Sequence, residues 1–277
     1  MTSRDRIQLA EDFRVLHRSH APFLIPNAWD AMSARTFESV GFKAIATTSG
    51  GVAWSLGYQD GEKAPWDEVV AATRRITRAV AVPVTADIEA GYAENCDEVR
   101  DHVADIIAAG AIGLNIEDHK SGELREISDA AARISAAREV AKSIGIPIVI
   151  NARTDVYHVR DEPNGGRFAE TIHRAKAYQA AGADCIFVFG VSDVQTIAGL
   201  VATIDLPVNI VGRAGLPKLS ELAKIGVGRI TIASSMALYA FGCVQNAAAR
   251  LFETGEFELP KGSMTRATAQ ELFSQDR

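Results

Sequence analysis

The sequence predicts a (β/α)8 barrel of the α/β class, formed by a chain of 277 residues. Three observations carry that expectation. Eight short apolar or β-branched runs recur along the chain, and longer segments with apolar residues at helical spacing separate them. No G-x-G-x-x-G follows the first run, which disfavours a dinucleotide-binding sheet. Strands that are apolar throughout need cover on both faces, which parallel strands joined by helices provide. Eight such units within about 230 residues suit a closed barrel better than an open, doubly wound sheet.

In chain order the runs occupy residues 23–27, 44–49, 82–87, 113–117, 148–153, 185–189, 207–211 and 229–233. Helical stretches such as 128–143 and 167–181 lie between them. Ser128 is read as an N-cap, and Gly110, Gly145 and Gly182 as left-handed closures. The tripeptides Gly41-Phe42-Lys43 and Gly182-Ala183-Asp184 repeat as helix-to-strand turns. After the last run come an alanine-rich helix over 234–253, a polar break over 254–264 and a final helical piece over 265–275. Nothing marks a second domain, so residues 1–277 read as one barrel with a C-terminal helical extension.

Composition narrows the function classes. Hydrophobic residues make up 47% and charged residues 23%, the mix of a globular protein with a sizeable core. Twenty-nine basic against 35 acidic residues leave a net charge of −6, and no basic run exceeds two residues, which argues against nucleic acid or an anionic membrane as partner. No stretch approaches the length of a membrane span. Cys96, Cys185 and Cys243 are scattered and never form C-x-x-C, so a disulfide framework and a thiolate zinc site are both disfavoured. Cys185 and Cys243 read as small core residues and Cys96 as exposed or helix-capping. The first 25 residues alternate charge with apolarity and contain no signal-peptide core. A soluble, cytoplasmic protein is expected.

A barrel of this type carries its site at the C-terminal ends of its strands. Those ends are polar here: Thr47-Thr48-Ser49-Gly50-Gly51, Asp87-Ile88-Glu89, Asn115-Ile116-Glu117-Asp118, Asn151-Ala152-Arg153-Thr154-Asp155, and Asn209. Carboxylates that end neighbouring apolar strands repel one another unless a cation lies between them. Asp87, Glu89 and Glu117 are oxygen donors, which suit magnesium or manganese rather than zinc. The alternative is that these acids cap helices or pair with Arg153. Arg153 offers a planar fork to a substrate carboxylate, or else serves as counter-ion to Glu117 or Asp155. Ser49-Gly50-Gly51 either presents backbone N–H groups to an anion or makes a tight turn. Asp60, in Gly57-Tyr58-Gln59-Asp60-Gly61, and His119 read by themselves as solvated loop residues.

Taken in order, these segments resemble the isocitrate lyase / phosphoenolpyruvate mutase superfamily from about Phe23 to Tyr239. Residues 26–35 resemble its first strand-to-helix turn, and Thr48-Ser49-Gly50-Gly51 its substrate-anion loop. Asp60, six residues before Trp66, matches an acid that supports the metal through water. Asp87-Ile88-Glu89-Ala90-Gly91-Tyr92-Ala93 resembles the D-x-D-x-G-Y-G metal motif with glutamate for its second aspartate, and Glu117 matches the third acid. Ala152-Arg153-Thr154-Asp155 matches the segment whose arginine binds the substrate carboxylate. The resemblance implies magnesium (or manganese) held by Asp87, Glu89 and Glu117, and catalytic roles for Asp60, Glu117 and Arg153. It implies substrate contacts from Thr48, Ser49, Gly50, Gly51, Asp87, Arg153 and Asn209.

Two departures bear on the reaction. The lyases carry K-K/R-C-G-H after the fourth strand, where this chain reads His119-Lys120-Ser121-Gly122-Glu123-Leu124-Arg125-Glu126 without cysteine. After the sixth strand, Val188-Phe189-Gly190 stands where the lyases have an acid and the mutases a histidine. The expected activity is therefore a magnesium-dependent lyase reaction on a small 2-oxo or 2-hydroxy (di)carboxylate: C–C cleavage or decarboxylation through an enolate. The alternatives are phosphonopyruvate-type C–P chemistry and 2-oxo-acid binding without turnover. Met236, Leu238, Tyr239, Phe241, Val244 and Leu251 give the 234–253 helix more apolar surface than one barrel flank needs. With the resemblance, this implies a homodimer or homotetramer that exchanges the eighth helix, with the last helix carried away from its own barrel.

Overall fold

The computed structural model describes residues 3–18, 22–160, 164–258 and 262–274. Strands Ile45–Thr47, Val84–Asp87, Gly113–Glu117, Val149–Thr154, Cys185–Val188, Val208–Val211 and Arg229–Thr231 each pair in parallel with the next. The first apolar run is split. Phe23–Ile25 pairs with the last strand, Arg229–Thr231, and Asn27–Ala28 pairs with Ile45–Thr47. Pro26 makes the break because it has no N–H to donate to a ladder. Asn27 closes the seam: its side-chain amide donates to the Thr47 carbonyl at 2.9 Å, and its Oδ1 accepts from the Ile232 N–H at 3.0 Å. The nine segments of the sheet thus form a ring of eight strands, as the run count predicts.

Helix ends follow local chemistry. Asp30 caps Ala31–Val40 through a reciprocal bond with Ser33, and Gly41 and Gly145 close their helices at φ 105° and 79°. One cap is corrected. Helix Ile127–Ile144 begins before Ser128, which lies in its first turn, and Glu126 occupies the cap position without a side-chain bond. The first turn instead rests on Asp129, whose carboxylate pairs with Arg125 at 2.9 Å and Arg133 at 3.2 Å. Of the cysteines, Cys185 is buried as expected, Cys243 is exposed on the tail helix rather than in the core, and Cys96 is the first residue of its helix.

Helix Ser3–His17, which the runs did not signal, plugs the N-terminal opening of the barrel. Phe13 is fully buried there, and a Cβ at Gly113 would lie 2.8 Å from its ring, so only glycine lets the plug seat. Arg14 ties the helix down with an ion pair to Asp184 at 2.7 Å and bonds to the Pro147 and Ile148 carbonyls. His17 closes the plug. One ring nitrogen bonds the Phe13 carbonyl at 2.8 Å while the other faces the Arg229 guanidinium at 3.4 Å. Burial, then the Arg229 charge, pushes His17 down to about 3. The unfolded chain takes up this proton as pH falls through about 6.5, and the folded chain refuses it until near 3. Stability should therefore fall between those values, with a slope approaching about 1.4 kcal/mol per pH unit. Urea melts from pH 7 to 4 should show that slope flattened in His17→Asn; an equal slope in both proteins would remove His17 as its cause.

Helix Ser235–Thr254 leaves the barrel after its first turn. Ala237 is its buried residue, whereas Tyr239, Val244 and Phe252 are 69, 66 and 93% exposed. The final helix, Arg266–Ser274, differs from expectation: it packs back onto Ala31–Val40 of its own chain, where buried Arg35 donates to the Leu272 carbonyl. Gln275 of the expected last helix lies outside the described residues.

Candidate active site

The strand ends surround a cavity of about 340 Å³. Of the expected residues, Thr48, Ser49, Asp60, Asp87, Glu89, Glu117 and Arg153 line it together, with Asn27, Asn115, His119, His158, Phe187, Phe189, Thr231 and Ser234. Gly50, Gly51 and Asn209 do not. Asn209 lies one layer deeper, fully buried, in register with Phe187 and Arg229. Ser49-Gly50-Gly51 is neither a loop nor a simple turn but the first turn of helix Ser49–Leu56, capped by Thr48. Its glycines serve close packing. A Cβ at Gly50 would lie 3.0 Å from Asp60 and 3.1 Å from Ser234, and one at Gly51 2.8 Å from Trp29. The Gly51 N–H goes to Thr48, which leaves Ser49 as the residue of this turn whose N–H faces an acid, Asp87 at 3.4 Å.

The two acids of the third strand end differ. Glu89 accepts from the Glu62 N–H at 3.0 Å on both oxygens and from the Tyr92 hydroxyl at 2.8 Å. Burial, with Asp60 and Asp87 adding repulsion, still pushes it up to about 8. Asp87 is pushed up chiefly by burial, against the pull of Arg153, and its oxygens receive only two N–H groups, each at 3.4 Å. A half-buried carboxylate so poorly donated, facing Asp60 and Glu89, could hold a hard divalent cation. Asp87 fits as direct ligand, and Glu89, already held by two donors, fits as a ligand through water.

Arg153 is engaged by its own chain. Nε and Nη2 fork onto Asp155 at 2.6 and 2.7 Å, Nη1 pairs with Glu117 at 2.8 Å, and the guanidinium lies 3.9 Å from the Phe189 ring centre. Burial works against its charge, but Glu117 and Asp155 outweigh that and hold it protonated. Both counter-ion alternatives of the sequence are thus realised, and Phe189 is the platform under the arginine. Glu117 is pushed upward by burial while Arg153 and His119 pull the other way. Glu117, His119 and Asp155 approach closely enough to share an ion. However, both Asp155 oxygens are occupied by Arg153, and its cationic group lies among them, so the Asp87 side is the better cation site.

His119 is the main residue that sequence reasoning misplaced. It lines the cavity, 3.7 Å from Glu117 and 3.9 Å from Asp155, and the bond to Glu117 raises its pKa. Its position follows from the shortened segment after Glu117. His119–Lys120 and Glu123–Leu124 form a hairpin with Ser121 and Gly122 at φ 54° and 89°, the geometry of a tight two-residue turn. The hairpin is pinned where the Arg125 N–H meets the Asp118 carbonyl at 2.7 Å. Asp118 is buried beneath, bonded by Tyr178 at 2.6 Å and Arg174 at 3.2 Å. Left-handed backbone at non-glycine residues gathers at this end too: Glu62, Glu89, Tyr92, Ser121 and Ala233, with φ of 47–59°.

Known proteins resemble the chain over most of its length. A Mycobacterium tuberculosis (strain ATCC 25618 / H37Rv) protein that is itself uncharacterised is 36% identical over 252 residues, covering 90% of this chain and 91% of its own. The oxaloacetate decarboxylase of Chromohalobacter salexigens is 30% identical over 252 residues, covering 87 and 84%. A crystal structure from Burkholderia cenocepacia J2315, described provisionally as a phosphonomutase, superposes with a TM-score of 0.83 at 41% identity, covering 89% of this chain and all of that one. Residues 13–252 match the phosphoenolpyruvate phosphomutase profile. With a closed parallel barrel, acids at its third and fourth strand ends and this match across most of its length, the chain belongs to the phosphoenolpyruvate phosphomutase family.

Proposed function

We propose that the chain is a divalent-metal-dependent carbon–carbon lyase acting on a small 2-oxo dicarboxylate, with decarboxylation of an oxaloacetate-type substrate as its leading reaction. The observation that carries this reading is half-buried Asp87, poorly donated and facing a cavity sized for a four- or five-carbon acid. Magnesium or manganese held by Asp87, and through water by Glu89, Glu117 and Asp60, would supply Lewis acidity toward the 2-oxo oxygen. The protein's own part is to bind and orient. Arg153 keeps N–H bonds beyond those given to Asp155 and Glu117, and with the Ser49 N–H and Thr48 it would hold the carboxylate next to the 2-oxo group. Phe187 and Phe189 make a wall that excludes water from the bond that breaks. His119 and His158 line that side of the cavity, and the product takes its proton from an imidazole or from water.

Decarboxylation is favoured over cleavage of a larger substrate because the pinned hairpin is too short to bring a proton donor across a long chain. The oxaloacetate decarboxylase likeness supports the same choice. The family profile and the phosphonomutase-type structure favour C–P chemistry as the second reading. One panel separates the readings: magnesium with oxaloacetate, 2-methylisocitrate or phosphonopyruvate, assayed for pyruvate and phosphate. Magnesium-dependent pyruvate from oxaloacetate above the solution rate is the expected result. Phosphate release from phosphonopyruvate would transfer the assignment to C–P chemistry, and tight binding without product would make this a 2-oxo-acid binding protein.

The exposed apolar face of Ser235–Thr254, with Leu238, Tyr239, Val244 and Phe252, supports exchange of this helix with a second copy. Light scattering after size exclusion should give a dimer or tetramer at micromolar concentration, and Val244→Glu should shift it toward the single chain. A species of the chain mass in the unmodified protein would overturn the exchange.

A further inference from the structure

We propose that the barrel interior beneath the acidic mouth binds a small monovalent anion of the halide class, held by Arg229 together with Asn209 and Thr231. The barrel interior holds an uncompensated positive charge. Arg229, at the start of the last strand, is fully buried. Its contacts are long: 3.4 Å to His17 Nε2, 3.4 Å to Asn115 Oδ1 and 5.9 Å to the Phe13 ring centre, and its Nε–H has no partner. Among the described residues no carboxylate forms an ion pair with it. The titratable groups that face it are His17, Cys185 and Asp87. Burial keeps His17 neutral and the Cys185 thiol protonated, and Asp87 sits two residues further up its own strand than Thr85 in this layer. A guanidinium does not give up its proton at neutral pH, so a full positive charge remains inside the barrel.

The polar atoms around it lack partners as well. Asn209 is paired in register with Arg229 on the adjacent strand, and neither its amide nitrogen nor its oxygen is bonded. The Thr231 hydroxyl, two residues along on the same face, is also unbonded, and so are the Thr85 hydroxyl and Asn151 Oδ1 on other strands. Buried polar groups are almost always bonded, so this ring has an occupant. Water would meet the hydrogen bonds but leave the charge; an anion meets both. One uncompensated charge selects a monovalent ion, and burial selects one that sheds its water easily, chloride or bromide rather than phosphate or sulfate. Asn115 and Thr231 also line the mouth cavity, so the ring is reached through the cavity floor.

An anion here would cancel the repulsion that Arg229 exerts on a cation at Asp87. Halide should therefore tighten magnesium binding, and magnesium should tighten halide binding by the same factor. That coupling rests on the proposed metal site; the anion site itself does not.

The test uses the full-length protein. Crystals soaked in sodium bromide are measured at the bromine edge, and thermal melts compare sodium bromide with sodium gluconate at equal ionic strength. The expected result is an anomalous peak between Arg229 and Asn209, with Tm raised by about 2–3 °C at ten times the dissociation constant and rising with the logarithm of bromide concentration beyond it. Arg229→Met and Asn209→Leu should abolish the bromide-specific rise; the second keeps the cation and serves if the first does not fold. Bromine absent from the ring, or equal melting in gluconate, would overturn the proposal.

Discussion

Asp87→Ala is expected to abolish magnesium-dependent turnover and to weaken 2-oxo-acid binding by at least about 100-fold, beyond the usual effect of losing an outer-shell partner. The carboxylate is half-buried against its preference, with two N–H contacts at 3.4 Å as its hydrogen bonds. It therefore costs stability in the metal-free protein, which the cation would offset. Asp87→Asn keeps the shape and removes the charge, so the metal-free variant should melt higher than the parent while its magnesium-induced rise in Tm disappears. A structural acid would behave oppositely, with a lower Tm and an unchanged magnesium response. Full activity of Asp87→Ala in the presence of EDTA would reject the metal site.

The second large effect is expected at Arg153. Removing the guanidinium in Arg153→Met leaves buried Asp155 and half-buried Glu117 without their cation, a loss of about 3–5 kcal/mol of stability. Arg153→Lys keeps the charge but cannot fork onto Asp155 or lie flat on Phe189. Charge-assisted bonds are worth about 1.5–3 kcal/mol each, so oxalate affinity by calorimetry should fall at least tenfold in the lysine variant. Denaturant melts on the same sample separate the two roles. Lower stability with unchanged oxalate affinity would leave Arg153 a counter-ion and give the substrate carboxylate to the Thr48–Ser49 turn.

The barrel was legible because its signals are local and periodic. Each strand is a short apolar run, each helix repeats its apolar face every three to four residues, and glycines such as Gly41 and Gly145 mark where helices stop. The strand-end acids were legible for a related reason. Asp87 and Glu117 close apolar runs in which a charge has no structural use, so their place at the mouth follows from the alternation of strand and helix alone.

What only the tertiary structure decided is the pairing among those residues. The sequence cannot say whether the Arg153 fork turns to a substrate or to Asp155, because that depends on the side chains packed beside it, and the Phe189 ring just past the end of the next strand holds it in place. It cannot separate Asp87 from Glu89 as ligands, since the difference lies in the N–H of Glu62 and the hydroxyl of Tyr92 that reach one and not the other. His119 looked like a loop residue until the hairpin turn at Ser121 and Gly122 folded it over the cavity. The plug helix and the unpaired Arg229 behind it were likewise invisible, for both are set by contacts across the barrel between residues far apart in the chain. Periodicity and strand-end chemistry are written residue by residue along the chain, whereas the direction of a charged side chain is settled by the neighbours that burial brings to it from other strands.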